Sequence, residues 1–167
     1  MSNRFKYCPV CGGKLAQQFV HGLERGVCQA CGRINFENPI VGAAAIIKDE
    51  QGRILLVKRS ADTTYPGLWC IPCGYVEYDE DIRAAIVREV KEETGLDIIC
   101  GEVFDVHSNF HNPSQHTVGI WFNCQIVGGT ACPGDDASEI GWFPANFPPT
   151  LAFPTDYLVL EKIHKNK

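Results

Sequence analysis

The stretch from Asp81 to Thr94 constrains this chain more than any other, because its two kinds of residue cannot share a face. Ile82, Ala85, Ile86 and Val90 recur at helical spacing, and Gly95 follows where a left-handed C-cap ends a helix, so the spacing predicts a helix that buries one stripe. Glu89, Glu92 and Glu93 stand at i, i+3 and i+4 on another face; Glu80, near the helix start, reaches the same rim or makes a capping contact. Crowded carboxylates repel one another, and hard divalent cations such as Mg²⁺ or Mn²⁺ relieve that repulsion because they prefer carboxylate and water oxygens. Arg88 can orient a neighbouring carboxylate, although exposed Arg–Glu pairs are common on helices. An acidic face with nothing else beside it is more often simply solvated.

The N-terminal residues follow a different logic. Cys8-Pro9-Val10-Cys11 and Cys28-Gln29-Ala30-Cys31 are two CxxC pairs separated by 16 residues, each followed by glycine. Four thiolates in that layout favour tetrahedral Zn²⁺, and Gly12, Gly13 and Gly32 permit the tight turns that bring backbone N–H groups toward sulfur. Only Tyr7, Leu15, Phe19 and Val27 are available as apolar anchors, so zinc is expected to supply much of the folding energy. An iron–sulfur centre, a redox pair or unrelated core thiols are the competing readings, and His21 becomes a ligand only if the four-thiolate reading fails. Cys70-Ile71-Pro72-Cys73 lacks the strand-then-helix setting of a redox dithiol and is not read as one. Cys100 and Cys124 serve as small hydrophobes.

The 167 residues, 45% hydrophobic and 21% charged, describe a folded domain with room for a small appendage and exclude disordered, collagenous and coiled-coil classes. A formal net charge of -5 gives no global attraction to polynucleotide phosphates or anionic lipid. No apolar run is long enough to span a bilayer, Met1 to Val10 lacks an apolar signal core, and nine cysteines form an odd set better suited to a reducing compartment, so a cytoplasmic protein is expected. Gly32 to Ile40 reads as a polar connector, which divides the chain into residues 1–35 and 36–167.

Beyond the connector, Val41 to Ile47 and Arg53 to Lys58 read as strands joined by a hairpin turn at Asp49 to Gly52, which predicts local antiparallel pairing. Arg59 to Gly67 reads as a polar loop, Leu68 to Ile71 as a short extended piece, and Leu96 to Ser108 and Thr117 to Val127 as further strands. A second amphipathic helix is expected from Thr155 to Lys165, with Asp156 near its start. Strands with two helices predict an α/β fold in layers of helix, sheet and helix.

The segment GYVEYDEDIRAAIVREVKEETGL, from Gly74 to Leu96, matches at every fixed position the pattern G, five residues, E, seven residues, R-E-U-x-E-E-x-G-U, where U is a bulky aliphatic residue. This is the Nudix box, and over roughly residues 40 to 165 the chain resembles the Nudix hydrolase superfamily. The resemblance implies an α/β/α Nudix sandwich with a mixed sheet, preceded by the four-cysteine zinc ribbon, and a hydrolase of nucleoside diphosphates linked to another group. It makes Gly74, Glu80, Arg88, Glu89, Glu92, Glu93 and Gly95 functional or framing residues. Two departures precede Glu80: Cys73-Gly74 stands where many members have two glycines, and Asp79 where many have glycine, which bears on loop shape.

A ribbon followed directly by this domain is similar to the branch that includes NADH, FAD and ADP-ribose pyrophosphatases. Ser114-Gln115-His116-Thr117 lacks the Trp-Pro-Phe-Pro portion of the NADH signature, and Cys31 to Pro39 looks closer to the ADP-ribose and FAD group. A pyrophosphate needs cations to neutralise its oxygens and to lower the pKa of the attacking water, a role suited to Mg²⁺ or Mn²⁺ on Glu89, Glu92 and Glu93. Arg53, Lys58 or Arg59 would stabilise the leaving phosphate; Asp135, Asp136 or, preferably, Glu139 would be a general base from a later loop. Phe36, Tyr75, Phe110, Trp121, Trp142 and Phe143 are candidates for a base slot, with Tyr65 and Trp69 at its rim; His107, His111 and His116 are too irregularly spaced for a second metal site.

The expected partner is therefore a nucleoside diphosphate-linked small molecule, with homodimerisation implied by the resemblance alone. NADH, nucleoside triphosphates or RNA caps are alternative substrates. A non-catalytic nucleotide sensor, or a regulator binding nucleic acid through Arg4, Lys6, Lys14, Arg25 and Arg33, is a different class, disfavoured by the intact acids and the sparse basic residues.

Overall fold

The computed structural model describes residues 5–166, so Arg4 lies outside the described residues. Its contacts divide the chain into two units, one formed by residues 1–39 with 112–115 and the other by 40–111 with 116–167. The first unit holds β1 (Leu15–Val20), β2 (Leu23–Cys28) and β3 (Ile34–Asn35) in an antiparallel sheet. Its buried hydrophobic cluster contains Cys8, Leu15 and Cys28, too little apolar surface to hold such a module without a further crosslink.

The second unit is built on alternation. Strand β4 (Ile40–Ile47) sends Ala43, Ala45 and Ile47 to one face and Ala44 and Ile46 to the other. Strand β5 (Ile54–Arg59) divides likewise, Leu55 opposing Ile54 and Leu56, so both strands are buried on both sides. The turn between them forms, with Asp49 Oδ1 accepting from the Gln51 and Arg53 N–H groups at 3.0 and 2.8 Å, but the expected hairpin does not: beyond one bridge between Lys48 and Ile54 the two strands belong to different sheets, each paired with more distant segments.

One face carries helix α1 (Ile82–Thr94), through Ile86 and Val90 with Phe122 and Cys124; the other carries α2 (Pro154–Lys165), through Val159, Leu160 and Ile163 with Trp121. The sheets between them are β10 (Ala137–Phe143)-β5-β6 (Trp69–Cys70) and the mixed β7 (Cys73–Tyr75)-β4-β9 (Thr117–Gly129)-β8 (Leu96–Asn109), where β4 and β9 run parallel. This is the layering of helix, sheet and helix that the strands and two helices predict, and the α/β/α sandwich with a mixed sheet that the family resemblance implies. Strand β10 was not among the expected strands: its ASEIGWF sequence carries Gly141 and follows a polar loop, and its pairing with β5 is what makes it a strand. No helix among the described residues is long and apolar enough to cross a membrane.

Asp156 does more than favour a helix N-terminus. It is buried, and its carboxylate accepts from the Ile71 N–H at 3.1 Å and the Trp121 Nε1–H at 3.3 Å, tying α2 to β9 and to the chain leaving β6. Burial pushes its carboxyl up to about 7, against the pull of those two donors. A folded pKa above the unfolded value means a stability contribution fully present below about pH 4 and lost as pH rises through about 7. Urea melts of wild type and Asp156→Asn, whose side chain stays neutral, are expected to show the variant gaining about 3 kcal/mol relative to wild type between pH 5 and pH 8. A pH-independent difference would remove this role.

Candidate active site

The acids of α1 are arranged by the helix and by one arginine. Asp81 caps the helix, accepting from the Arg83 and Ala84 N–H groups at 2.8 and 3.4 Å, and Gly95 closes it at φ 71°. Glu80 is therefore not the cap. Both its oxygens accept from Arg88, at 2.8 Å from Nε and 2.9 Å from Nη2, in a fork that fixes the guanidinium and holds the Glu80 carboxyl below its usual range. Arg88 Nη1 then donates to Glu89 Oε1 at 2.8 Å and to Glu92 Oε2 at 2.9 Å. Arg88 thus contacts four carboxylate oxygens of the acidic face, two on Glu80 and one each on Glu89 and Glu92.

Gly74 explains itself by what it faces. A Cβ there would lie 1.9 Å from Glu89 Cδ, so only glycine leaves room for this carboxylate against the β7 backbone. Glu89 is half-buried, and desolvation raises its carboxyl while Arg88 opposes the rise. Glu93 is 1% exposed and turned inward, its Oε2 accepting from the Cys73 N–H at 3.1 Å. Burial pushes Glu93 well above the carboxylate range, reinforced by the nearby carboxylates of Asp136 and Glu89. A buried acid among like charges is the environment that a divalent cation would relieve, so the donor set fits Mg²⁺ or Mn²⁺ in chemistry. The three glutamates do not form a closed cage: among the described residues, the four N-terminal cysteines are the one group of three or more such side chains with ligand atoms all within 4.8 Å of one another.

Those cysteines fit zinc well. Cys8 Sγ lies 3.9 Å from Cys31 Sγ and Cys11 Sγ 3.4 Å from Cys28 Sγ, close to the ~3.8 Å edge of a tetrahedron with ~2.3 Å Zn–S bonds. The two knuckles repeat one turn: Gly12 N–H bonds to Cys8 O and Gly32 N–H to Cys28 O, both at 2.9 Å, with φ of 72° and 73°. Backbone N–H groups lower the Cys8 and Cys28 thiols, led by those of Cys11 and Cys31 respectively, which favours the thiolates that a metal needs.

The remaining candidates fall into separate places. Glu139 lies on β10, not on a loop, with its carboxylate 2.7 Å from Lys58 Nζ. The loop acids are those felt by the helix: Asp135 by Glu89 and Asp136 by Glu93. Arg53 belongs to the turn, 2.6 Å from Asp49, and Arg59 pairs with Asp136 at 3.2 Å. Trp121 is core, Phe143 packs edge-on against Trp69, Trp142 packs on the α1-side core, Phe36 lies under Arg25, and Tyr75 is exposed beside Gly74. His107 packs on Trp121, His111 on Tyr65 and His116 on Phe110, so the histidines do not gather. The Cys73 thiol is hydrogen-bonded to Cys70 and desolvated, both of which raise it far above a reactive thiol. Sequence reasoning took Asp156 for a helix-end charge and overlooked the inward turn of Glu93.

An α/β sandwich that aligns a G…E…REUxEE acid face on its helix, held from Glu80 through Arg88, defines a pyrophosphate-hydrolysing class of protein. The NUDIX domain model matches residues 38–162 and the Nudix N-terminal model residues 6–37; this chain belongs to the Nudix family and is a pyrophosphohydrolase, with a zinc-ribbon cysteine cluster before it. It is 36% identical over 123 residues to an ADP-ribose pyrophosphatase of Methanocaldococcus jannaschii, covering 73% of this chain and 72% of that one. It is 27% identical to the NAD-capped RNA hydrolase NudC of Stutzerimonas stutzeri, over 89% of this chain and 51% of that one, so it spans about half the length of that relative. A solved NUDIX hydrolase from Nitrosomonas europaea superposes with a TM-score of 0.79 at 29% identity, covering 98% of this chain and 94% of the other.

Proposed function

We propose that this enzyme cleaves the pyrophosphate of a nucleoside diphosphate joined to a second moiety, with ADP-ribose or FAD as substrate and AMP as one product. Ribose 5-phosphate or FMN is the other product. The observation carrying this reading is the acid face itself, with Glu93 buried on the Cys73 N–H and Glu89 and Glu92 gathered by Arg88. Similarity to the archaeal ADP-ribose pyrophosphatase over most of both chains supports the substrate class.

In this reading Glu89, Glu92 and Glu93 hold Mg²⁺ or Mn²⁺, and Cys8, Cys11, Cys28 and Cys31 hold structural Zn²⁺. When bound, the divalent cations neutralise the pyrophosphate oxygens and lower the pKa of the attacking water. Arg88 is a positioning residue: anchored by Glu80, it sets the Glu89 and Glu92 oxygens. The Cys73 N–H orients Glu93. Glu139, steadied by Lys58, is the proposed acceptor of the water proton, with Asp135 and Asp136 as alternatives. Residues 1–35 act as the ribbon and 36–167 as the hydrolase domain, and homodimer assembly is carried on family resemblance.

A second reading, hydrolysis of NADH, a triphosphate or an RNA cap, draws on similarity to NudC over 89% of this chain. Chromatography of products from the zinc-retaining protein with Mg²⁺ or Mn²⁺ separates them. AMP from ADP-ribose or FAD, dependent on added cation, is expected. Reduced NMN (NMNH) and AMP from NADH in preference to either would select the second reading, and no turnover would favour a nucleotide sensor.

A further inference from the structure

Three loops outside the acid helix bring aromatic rings together. Tyr65 comes from the loop after β5, His111 from the one between β8 and β9, and Phe153 from the residue before α2. The Tyr65 and His111 centroids lie 5.5 Å apart, Tyr65 and Phe153 5.9 Å, and His111 and Phe153 5.9 Å. The interplanar angles are 50°, 85° and 49°, so the rings make a faceted surface, and each is only partly buried. Tyr65 takes φ 59°, a left-handed conformation unfavourable for a bulky residue. That strain persists where surrounding structure requires the side chain's position.

The cluster is joined to the acids through Arg59. Its guanidinium stands 5.6 Å from the Phe153 centroid and 3.2 Å from Asp136 Oδ2, and its Nε donates to Thr64 O at 2.6 Å, fixing the loop that carries Tyr65. Asp136 is one of the charges acting on Glu93, and Cys73, whose N–H holds Glu93, packs in the same apolar cluster as Tyr65 and Phe153. Acid, cation and rings therefore follow one another in the order of a diphosphate and an attached planar group. Ribose and phosphate gain little from ring faces, whereas a nucleobase gains stacking energy. His111 Nδ1 is engaged by Asn109 Oδ1, which makes Nε2 the ring nitrogen able to meet a base edge.

We propose that Tyr65, His111 and Phe153 form the platform on which the substrate's nucleobase stacks, with Arg59 as the counter-charge to the diphosphate between platform and acids. The inference rests on the pyrophosphohydrolase reading above and names the part of the substrate that the site selects.

Titration calorimetry of the zinc-loaded protein with AMP and with ribose 5-phosphate tests it, alongside steady-state kinetics on ADP-ribose. Tyr65→Leu and Phe153→Leu are each expected to weaken AMP about tenfold and ribose 5-phosphate less than about twofold, while Tyr65→Phe keeps the wild-type affinity. KM for ADP-ribose should rise by a similar factor with kcat within about threefold. Should a leucine variant fail to fold by circular dichroism, His111→Ala removes a ring from the same surface and is read the same way. AMP affinity unchanged in the folded variants, or an equal loss for ribose 5-phosphate, overturns the platform. A wild type that binds AMP through these rings yet hydrolyses no adenine substrate would retain the platform and reject the enzymatic reading; ADP-ribose turnover with a ring-independent KM would do the opposite.

Discussion

Glu93→Gln is expected to leave the fold intact and to lower kcat about 10³-fold, within the span seen when a positioned acid–base or charge-bearing group is lost. The reason lies in what the substitution keeps. A glutamine has the shape of the Glu93 side chain it replaces, and its amide oxygen can still accept from the Cys73 N–H, so the buried site and the β7–α1 contact survive. The change also removes a carboxyl that burial and the charges of Asp136 and Glu89 disfavour as an anion, so the variant should be at least as stable as wild type without added cation. What disappears is the negative oxygen that a hard cation needs. A thermal melt with and without Mg²⁺, set beside kcat, separates the two roles: the variant melts no lower than wild type without cation, gains less from adding it, and is nearly inactive. Retention of more than about a tenth of wild-type kcat at saturating Mg²⁺ would remove Glu93 from the proposed ligands.

Stripping zinc is expected to unfold residues 5–39 while the larger unit keeps its own cooperative transition. The ribbon buries Cys8, Leu15 and Cys28 as its hydrophobic cluster, whereas the larger unit has two extensive cores. Structural zinc in small modules contributes on the order of 10–16 kcal/mol, far more than so few buried side chains supply. Without it, four thiols with Sγ–Sγ distances as short as 3.4 Å have nothing to hold them together, and partial deprotonation would make them repel. Hydrogen exchange after chelation reads this directly: amides of β1 and β2 should lose protection and those of β4 and β9 should keep it. Cys28→Ser should reproduce the effect and release about one zinc per chain. Persistent protection of β1 and β2 in zinc-free protein would show that the ribbon stands on its own core.

Much of this architecture was legible because its causes are local. Ile82, Ala85, Ile86 and Val90 are close in sequence, so their spacing alone implied the helix and its buried stripe, and Asp81 and Gly95 bound it by capping. The two CxxC turns are likewise short-range objects, and their thiols converge. Other features depend on distant partners. Strand β10 exists through pairing with β5, some eighty residues away, which is why Glu139 stands beside Lys58 on a sheet. Glu92 and Glu93 are adjacent acids of one helix, indistinguishable by composition, yet one is exposed beside Arg88 and the other is buried on the Cys73 N–H.

The sequence by itself determined the two secondary-structure periods, the cap residues, the metal-ligand spacing and the family, since each is written in residues within a few turns of one another. Only the tertiary structure decided which acid is desolvated, that Asp156 ties a helix to a sheet, and that Tyr65, His111 and Phe153 meet. Those outcomes depend on burial and on groups brought together from separate segments, and in a low-dielectric interior the identity of the neighbour, more than that of the residue, sets the energy of a charge or a ring.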